Sequence, residues 1–391
     1  MLIAAITALL LHSPPDYRAK FPLPDLTVPS GWGVNVNLKD MDDASIQKIA
    51  DLGAKWIRLD LAWSRVEQSK GNYDFSRYDP VMDGLSRRGL RAILILDYGN
   101  KVYDVDAPRT REGRAAFAAY ASEAVKHYRH RGVIWEVWNE PNLSHFWRGE
   151  PSAAEYSALV RVVVPAMRTV SSDEWIIGPG ASRFDTRFLE GCFQKGVLGD
   201  FDAISIHPYR DLKPPEGVDD DWASLRSLVA QYAPAGKKIP LLCSEWGYST
   251  FTRGVSEKKQ GNFAIRAYLN NLAAGVPLTI LYSWRDRPDA SNEKEQHFGI
   301  VDSDVRPKGG FDTVQNLLGS LDGFTLDSRV PLGDDGNMAL LFRKGTSQRL
   351  VTWTNNVMGQ DVRFPANIAW FATNNNRSMH LTDSVQVLTQ K

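Results

Sequence analysis

From residue 31 to residue 322 the chain repeats one pattern: a short continuous apolar run, then a longer amphipathic one, about every 35 residues. The short runs are 31–36 (GWGVNV), 55–60 (KWIRLD), 90–97 (LRAILILD), 133–139 (GVIWEVWN), 175–179 (WIIGP), 202–207 (DAISIH), 238–245 (KIPLLCSE) and 277–284 (PLTILYSW). Strands covered on both faces read this way, without polar alternation, so a parallel sheet sheathed in helices is expected. The intervening stretches carry helix ends. Residues 43–52 put Ile46, Ile49 and Ala50 on one face and stop at Gly53, and Thr110 opens a run through His127. Ser152 and Glu155 form a capping-box pattern for a helix to Val170, and 257–274 and 309–321 supply the last two helices. Eight strands alternating with helices in this length fit a closed (β/α)8 TIM barrel over residues 30–322. A doubly wound open sheet is disfavoured, because no Gly-x-Gly-x-x-Gly turn follows the first run.

Beyond Leu321 helical periodicity ends. Short strand-like runs at 338–343, 349–354, 361–364 and 383–390, separated by Gly, Ser and Asn, form an all-β, sandwich-like appendage over 323–391. It is too small to be comfortable alone and is expected to pack on the barrel, joined by the proline-rich stretch 15–30.

Composition narrows the function. Lysine plus arginine equals aspartate plus glutamate at 46 each, so no net positive field gathers nucleic acid. The only cysteines, Cys192 and Cys243, are too few for a disulfide framework. Residues 1–11 form an apolar run of the length of a secretory signal core, so residues 1–12 are read as a signal peptide and the protein as secreted or periplasmic. No later run is long enough to span a membrane, and a monomer is expected.

In such a barrel, reactive groups sit at the C-terminal ends of strands. Run four ends in Trp138-Asn139-Glu140-Pro141 and run seven in Ser244-Glu245-Trp246-Gly247. A single glutamate after a buried strand is unremarkable, but two facing one cleft suit glycosidic bond cleavage. There one carboxyl must be protonated and the other ionised. Arg58 lies inside an apolar run and needs a buried carboxylate partner, with Glu245 the natural one and Asp60 the competitor. Glu136, a layer below Glu140, reads as a structural carboxylate paired with an Arg or His. No His-x-His stands on a strand, so no metal is expected, and neither a Gly-x-Ser-x-Gly nor a phosphate loop occurs; no cofactor is expected.

Trp-Asn-Glu-Pro on strand four with Ser-Glu-x-Gly on strand seven resembles clan A of the glycoside hydrolases. Asp97-Tyr98-Gly99-Asn100, the run 132–147 and Tyr282-Ser-Trp-Arg-Asp286 with His297-Phe-Gly299 extend the likeness to family 39 and, within it, to bacterial exopolysaccharide endoglycosidases of the Psl-hydrolase type. The likeness covers roughly residues 30–325, and Gly309-Gly310-Phe311 departs from it where relatives carry Pro-Ala-Tyr. It implies that Glu140 is the acid/base and Glu245 the nucleophile of a retaining reaction on β-linked carbohydrate. It further implies that Asn139 bonds the sugar 2-hydroxyl, that His207 and Tyr209 support the pair, and that Trp284 forms the floor under the sugar. Tyr98, Asn100, His145 and Trp147 stand on neighbouring loops and either line further subsites or brace those loops. Endo action on a polysaccharide is the leading expectation. An exo-acting β-xylosidase and an inactive carbohydrate-binding barrel are the alternatives.

Overall fold

The computed structural model describes residues 17–103, 106–287, 292–372 and 377–389. The export signal read at residues 1–12 lies outside them. Eight parallel strands close into a barrel in chain order: β1 (Trp32–Val36), β2 (Trp56–Ala62), β3 (Arg91–Asp97), β4 (Ile134–Val137), β5 (Trp175–Ser182), β6 (Ala203–His207), β7 (Leu241–Trp246) and β8 (Thr279–Leu281). Each falls on an apolar run of the sequence, because strands buried between barrel lumen and helices have no wet face to mark with polar residues.

The helices cap as their sequences indicate. Asp42 accepts from the Ser45 amide to start helix Asp43–Asp51, and Thr110 does the same through Gly113 for Arg111–Tyr128. Ser152 caps helix Ala153–Val170 through the Glu155 amide, but the Glu155 carboxylate turns away to Arg109 and Trp147 Nε1, so only half of the capping box forms. The glycines at 309–310 have a packing cause. A Cβ on Gly261 of helix Glu257–Ala273 would lie 2.3 Å from the Gly310 carbonyl oxygen, so helix Phe311–Ser320 begins on backbone that touches its neighbour.

The lumen is layered. Its lower layer is apolar, with Trp56, Ile93, Ile134, Ile177, Leu242 and Ile280 in one cluster. Above it the same inward faces turn polar, through Asn35, Arg58, Glu136, Ser205 and Ser244. The side chains of Arg58 and Glu136 are 1% and 0% exposed. Burying such charges is tolerable only when they are paired, which sets the chemistry of everything above. The segment 17–30 runs under the barrel, where Arg91 donates to the carbonyls of Phe21 and Pro22 and Trp175 Nε1 donates to Phe21. It then joins the C-terminal part through Leu326 N to Leu26 O and Val28 N to Phe324 O.

That part holds an antiparallel sheet in the order β14-β11-β10-β9 and a two-stranded β12-β13. Its strands are β9 (Thr325–Arg329), β10 (Asn337–Lys344), β11 (Ser347–Thr354), β12 (Gln360–Arg363), β13 (Ser378–Leu381) and β14 (Gln386–Thr389). The sheet is clamped to the barrel by Glu216, which accepts from Arg266 of helix Glu257–Ala273 and from Trp353 Nε1 of β11. Among the described residues no helix is long and apolar enough to cross a membrane.

Candidate active site

A cavity of about 930 Å³ opens at the C-terminal ends of the strands, and Asn35, Arg58, Asn139, Glu140, Tyr209 and Glu245 line it. Two local distortions aim the glutamates. After β4 the backbone enters the left-handed region at Trp138 (φ 71°) and Glu140 (φ 43°), conformations that cost residues with a Cβ about 1–3 kcal/mol each. They are held by Trp138 N to Leu96 O and Glu140 N to Gly180 O, both 3.0 Å. In β7 the pairing with β8 shifts register between Cys243 and Trp246, so Ser244 and Glu245 serve one site although strict alternation would put them on opposite faces. Gly180 closes the back: it has φ +60°, and a Cβ there would lie 3.1 Å from Glu136 Oε1.

Arg58 organises the layer. Its Nε donates to Glu136 Oε2 at 2.7 Å, Nη1 to Glu245 Oε2 at 2.6 Å and to Asn35 Oδ1 at 3.1 Å, and Nη2 to Asn139 Oδ1 at 2.7 Å. Because a guanidinium only donates, it fixes the Asn139 amide with oxygen inward and leaves its NH2 for a ligand in the cavity. Tyr209 donates its hydroxyl to Glu245 Oε1 at 2.6 Å. His207 is fully buried and joins the two halves, with Nδ1 hydrogen-bonded to Glu140 Oε1 at 3.0 Å and Nε2 to Ser244 Oγ at 3.1 Å. Carboxylate oxygens of Glu140 and Glu245 and a ring nitrogen of His207 all lie within 4.8 Å of one another. The family model described as cellulase (glycosyl hydrolase family 5) matches residues 17–285, well over half of the chain.

The chain belongs to glycosyl hydrolase family 5.

Two β-xylosidases are similar to this family 5 chain. That of Geobacillus stearothermophilus is 25% identical over 200 residues, 42% of this chain and 39% of that enzyme. That of Caldicellulosiruptor saccharolyticus is 25% identical over 232 residues, 51% and 46% of the two chains. The chain thus matches less than half the length of either. Among solved structures, a family 39 glycoside hydrolase from Bacteroides cellulosilyticus WH2 superposes with a TM-score of 0.82 at 24% identity, covering 93% of this chain and 81% of its own. A family 39 β-xylosidase from Caulobacter crescentus does so at 0.65 and 16%, covering 95% and 98%. At these identities both show the fold, and the family 39 likeness of the sequence is met there.

Within this family 5 barrel, burial is the largest influence on both carboxyl groups and pushes each upward. For Glu140 the His207 hydrogen bond and charge outweigh burial and hold it below the ordinary glutamate range. Glu245 stays above that range, because burial and repulsion from Glu140 exceed the pull of His207, Arg58 and Tyr209. Taken alone this order would reverse the expected roles. The donors argue otherwise: Glu245 has the Arg58 guanidinium on one oxygen and the Tyr209 hydroxyl on the other, whereas Glu140 has the neutral Ser182 hydroxyl and His207, whose bond forms with the proton on either partner. That donor set fits the expected order, in which a proton shared by the pair sits on Glu140. Burial also pushes Glu136 up, but Arg58 and His207 hold it below the usual range.

The remaining expected site residues divide. Tyr98 and His145 line the cavity, Tyr98 edge-on to Trp138 at 5.7 Å. Asn100 does not: it is buried, donating to the Glu67 carbonyl and accepting from Val102 N, and so braces its loop. Trp147 is buried against Trp138 with Nε1 on Glu155, and Phe146 lines the cavity in its place. Trp284 is a correction. It is 1% exposed and packed in the core, and Tyr282 and Phe298 line that side of the cavity. Inward alternation along β8 runs Leu278, Ile280, Tyr282. Tyr282→Ala should therefore lower kcat/KM by about tenfold, a loss of about 1.4 kcal/mol. Trp284→Phe should leave kcat/KM within about twofold and cost about 1–2 kcal/mol of stability in urea unfolding. The opposite pattern would restore Trp284 to the floor.

Asn35 and Asp60 are cavity residues that the sequence reading did not assign to the site. Asn35 in β1, and Arg58 and Asp60 two apart in β2, are polar residues in otherwise apolar strands, and that was the available signal. A second donor set, His130, Asp173 and Glu174, lies at the N-terminal end of the barrel. Both Glu174 oxygens are already taken there, by the His130 amide and Trp135 Nε1.

Proposed function

We propose that the protein is a retaining glycosidase that cuts β-linkages within a polysaccharide by double displacement. The observation that carries this reading is the closeness of the Glu140 and Glu245 oxygens, within 4.8 Å, at the open end of the barrel. Retaining pairs stand about 5–5.5 Å apart, whereas inverting pairs need roughly 6.5–9.5 Å to admit a water. In the first step Glu140 protonates the leaving oxygen while Glu245, steered by Arg58 and Tyr209, attacks the anomeric carbon. Glu140, now ionised, then takes a proton from the water that releases the glycosyl-enzyme. The Asn139 NH2 is placed to hold the sugar 2-hydroxyl, a contact that strengthens as charge develops on the ring.

A cavity of this volume, with loop residues Leu143 and His145 on one side and Lys294 and Glu295 on the other, suits a chain lying across the barrel. A polymeric substrate places the enzyme outside the cytoplasmic membrane, in line with the apolar run at residues 1–11, and we take it to act as a monomer. The β-xylosidase relatives favour a second reading, exo release of single sugars. Soluble β-glucan, β-xylan and bacterial exopolysaccharide, sampled over the first minutes and resolved by size, separate the two. A ladder of intermediate lengths is expected. Monomer alone would establish exo action, and no new reducing ends on any polymer or aryl β-glycoside would sink the hydrolase reading.

A further inference from the structure

Asp97 ends β3 with its side chain wholly buried, and neither carboxyl oxygen has a hydrogen-bond donor among the described residues. Of the two nearby hydroxyls, Tyr120 donates to the Leu61 carbonyl and Tyr78 accepts from the Ala62 amide, and neither makes a hydrogen bond to an Asp97 oxygen. The Arg58 guanidinium, the nearest cation, is spent on Glu136, Glu245, Asn35 and Asn139. What Asp97 does meet is a second carboxyl: β2 and β3 pair Asp60 with Ile95 and Ala62 with Asp97, so Asp60 and Asp97 are diagonal neighbours on one face, and the two carboxyl groups repel each other's charge. Asp60 stands two residues above Arg58 on the inward face of β2 and lines the cavity.

Two carboxylates cannot touch in a dry interior with both ionised and no cation between them, so one holds a proton. The buried member, Asp97, is the costlier to charge. Glu136 and Tyr98, the other titratable neighbours that face it, add no compensating positive charge, and burial pushes Asp97 well above the ordinary aspartate range.

We propose that Asp97 is a positioning residue that donates its retained proton to one oxygen of Asp60, so that the other Asp60 oxygen stands fixed in the cavity to accept a ring hydroxyl of the bound sugar. The arrangement matches the neighbouring Arg58–Asn139 pair, where a buried group likewise orients the polar atom that faces the ligand. It makes Asp60 a reader of a sugar hydroxyl other than the one held by Asn139. For its ligand the proposal rests on the glycosidase reading; for the proton it does not.

Two measurements on the full chain test it. Isotope-edited infrared difference spectra of the wild type against Asp97→Asn at pH 7 should show a protonated-carboxyl C=O band that the substitution removes. No such band would overturn the proposal whatever the activity. Kinetics on 4-nitrophenyl β-D-xyloside, 4-nitrophenyl β-D-glucoside and their monodeoxy analogues test the sugar contact. Asp60→Ala should lose about 10- to 100-fold in kcat/KM on the parent glycoside and under about threefold on the one analogue lacking the hydroxyl it reads. Asp97→Val should show the same selective loss in weaker form, mainly in KM, and Asp97→Asn, whose amide still donates to Asp60, should recover it. A merely structural Asp97 would lower all substrates equally and gain nothing from asparagine, and equal losses across the analogues would overturn the sugar contact. If the wild type turned over none of these glycosides, the sugar contact would fall, while the glycosidase reading would stand or fall with the polymers and the infrared band would still decide the proton.

Discussion

Azide should draw opposite anomers from Glu140→Ala and Glu245→Gly. In Glu140→Ala the nucleophile survives, so activated aryl glycosides, whose leaving groups need no proton, should still form the glycosyl-enzyme. Substrates with poor leaving groups should lose about 10²–10⁴-fold, the usual worth of acid catalysis. Azide needs no general base and fits the space left by the carboxylate, so it should attack the intermediate and give the β-glycosyl azide. Glu245→Gly can form no intermediate and should be nearly inert on every substrate until azide enters from the opposite face, giving the α-glycosyl azide. The donors around the two glutamates favour this order of roles, with Arg58 and Tyr209 on Glu245 and His207 and the Ser182 hydroxyl on Glu140. The product anomers, read by NMR, decide the matter. Reversed anomers would hand the roles to the other order, the one that burial and the His207 bond favour by themselves, and two unimpaired variants would remove both residues from the chemistry.

The second large effect is expected at Arg58. Arg58→Met fills similar volume but strands Glu136 and Glu245 in the lumen, where their partner was 2.7 and 2.6 Å away. Removing one member of a buried ionic set typically costs about 3–5 kcal/mol, a large share of the roughly 5–15 kcal/mol that holds a domain folded. The pH dependence has a definite sign. In the wild type Glu136 is held below its unfolded pKa, so its contribution is present above the ordinary carboxylate range and lost as pH falls through the depressed value. In Arg58→Met burial has lost its strongest opponent and outweighs the remaining pull of His207, the folded pKa rises above the unfolded one, and stability is best in acid and lost as pH rises. Urea unfolding at pH 7 and pH 5 should therefore show the gap between the two proteins narrowing in acid. A gap below about 1 kcal/mol, or one that widens in acid, would mean that Arg58 does not hold the buried layer together.

How far these features were legible depended on what each residue was buried against. The eight barrel strands announce themselves because burial on both faces leaves uninterrupted Ile, Val and Leu, and their limits are read to within a few residues. β9 was missed for the converse reason: it is mostly exposed, so Thr325–Arg329 carries no apolar run. Glu140 was found through Trp-Asn-Glu-Pro, although nothing in its periodicity records that the backbone must turn left-handed on either side of Asn139 to aim it. Glu245 was found through its motif too, since strict alternation with Ser244 would have turned it out of the lumen. Trp284 shows the limit of such reading. β8 is only three residues long, so side-chain direction at its end depends on the path of the chain beyond it, and a count along the sequence favoured the larger ring over Tyr282.

Glu216 carries a consequence for how this molecule could have been assembled. Its carboxylate is shared between Arg266 on the barrel and Trp353 on the C-terminal sheet, while the Asp383 carbonyl accepts from Asn262 and Arg266 across the same seam. A cassette exchanged between enzymes by recombination needs a border that can be cut without stranding buried polar atoms. Among the described residues this seam offers no such border: removing 323–391 would take the Trp353 donor from Glu216 and the Asp383 acceptor from Asn262 and Arg266 at once. A foreign sheet grafted onto this barrel would therefore have to bring its own partners for Glu216, Asn262 and Arg266.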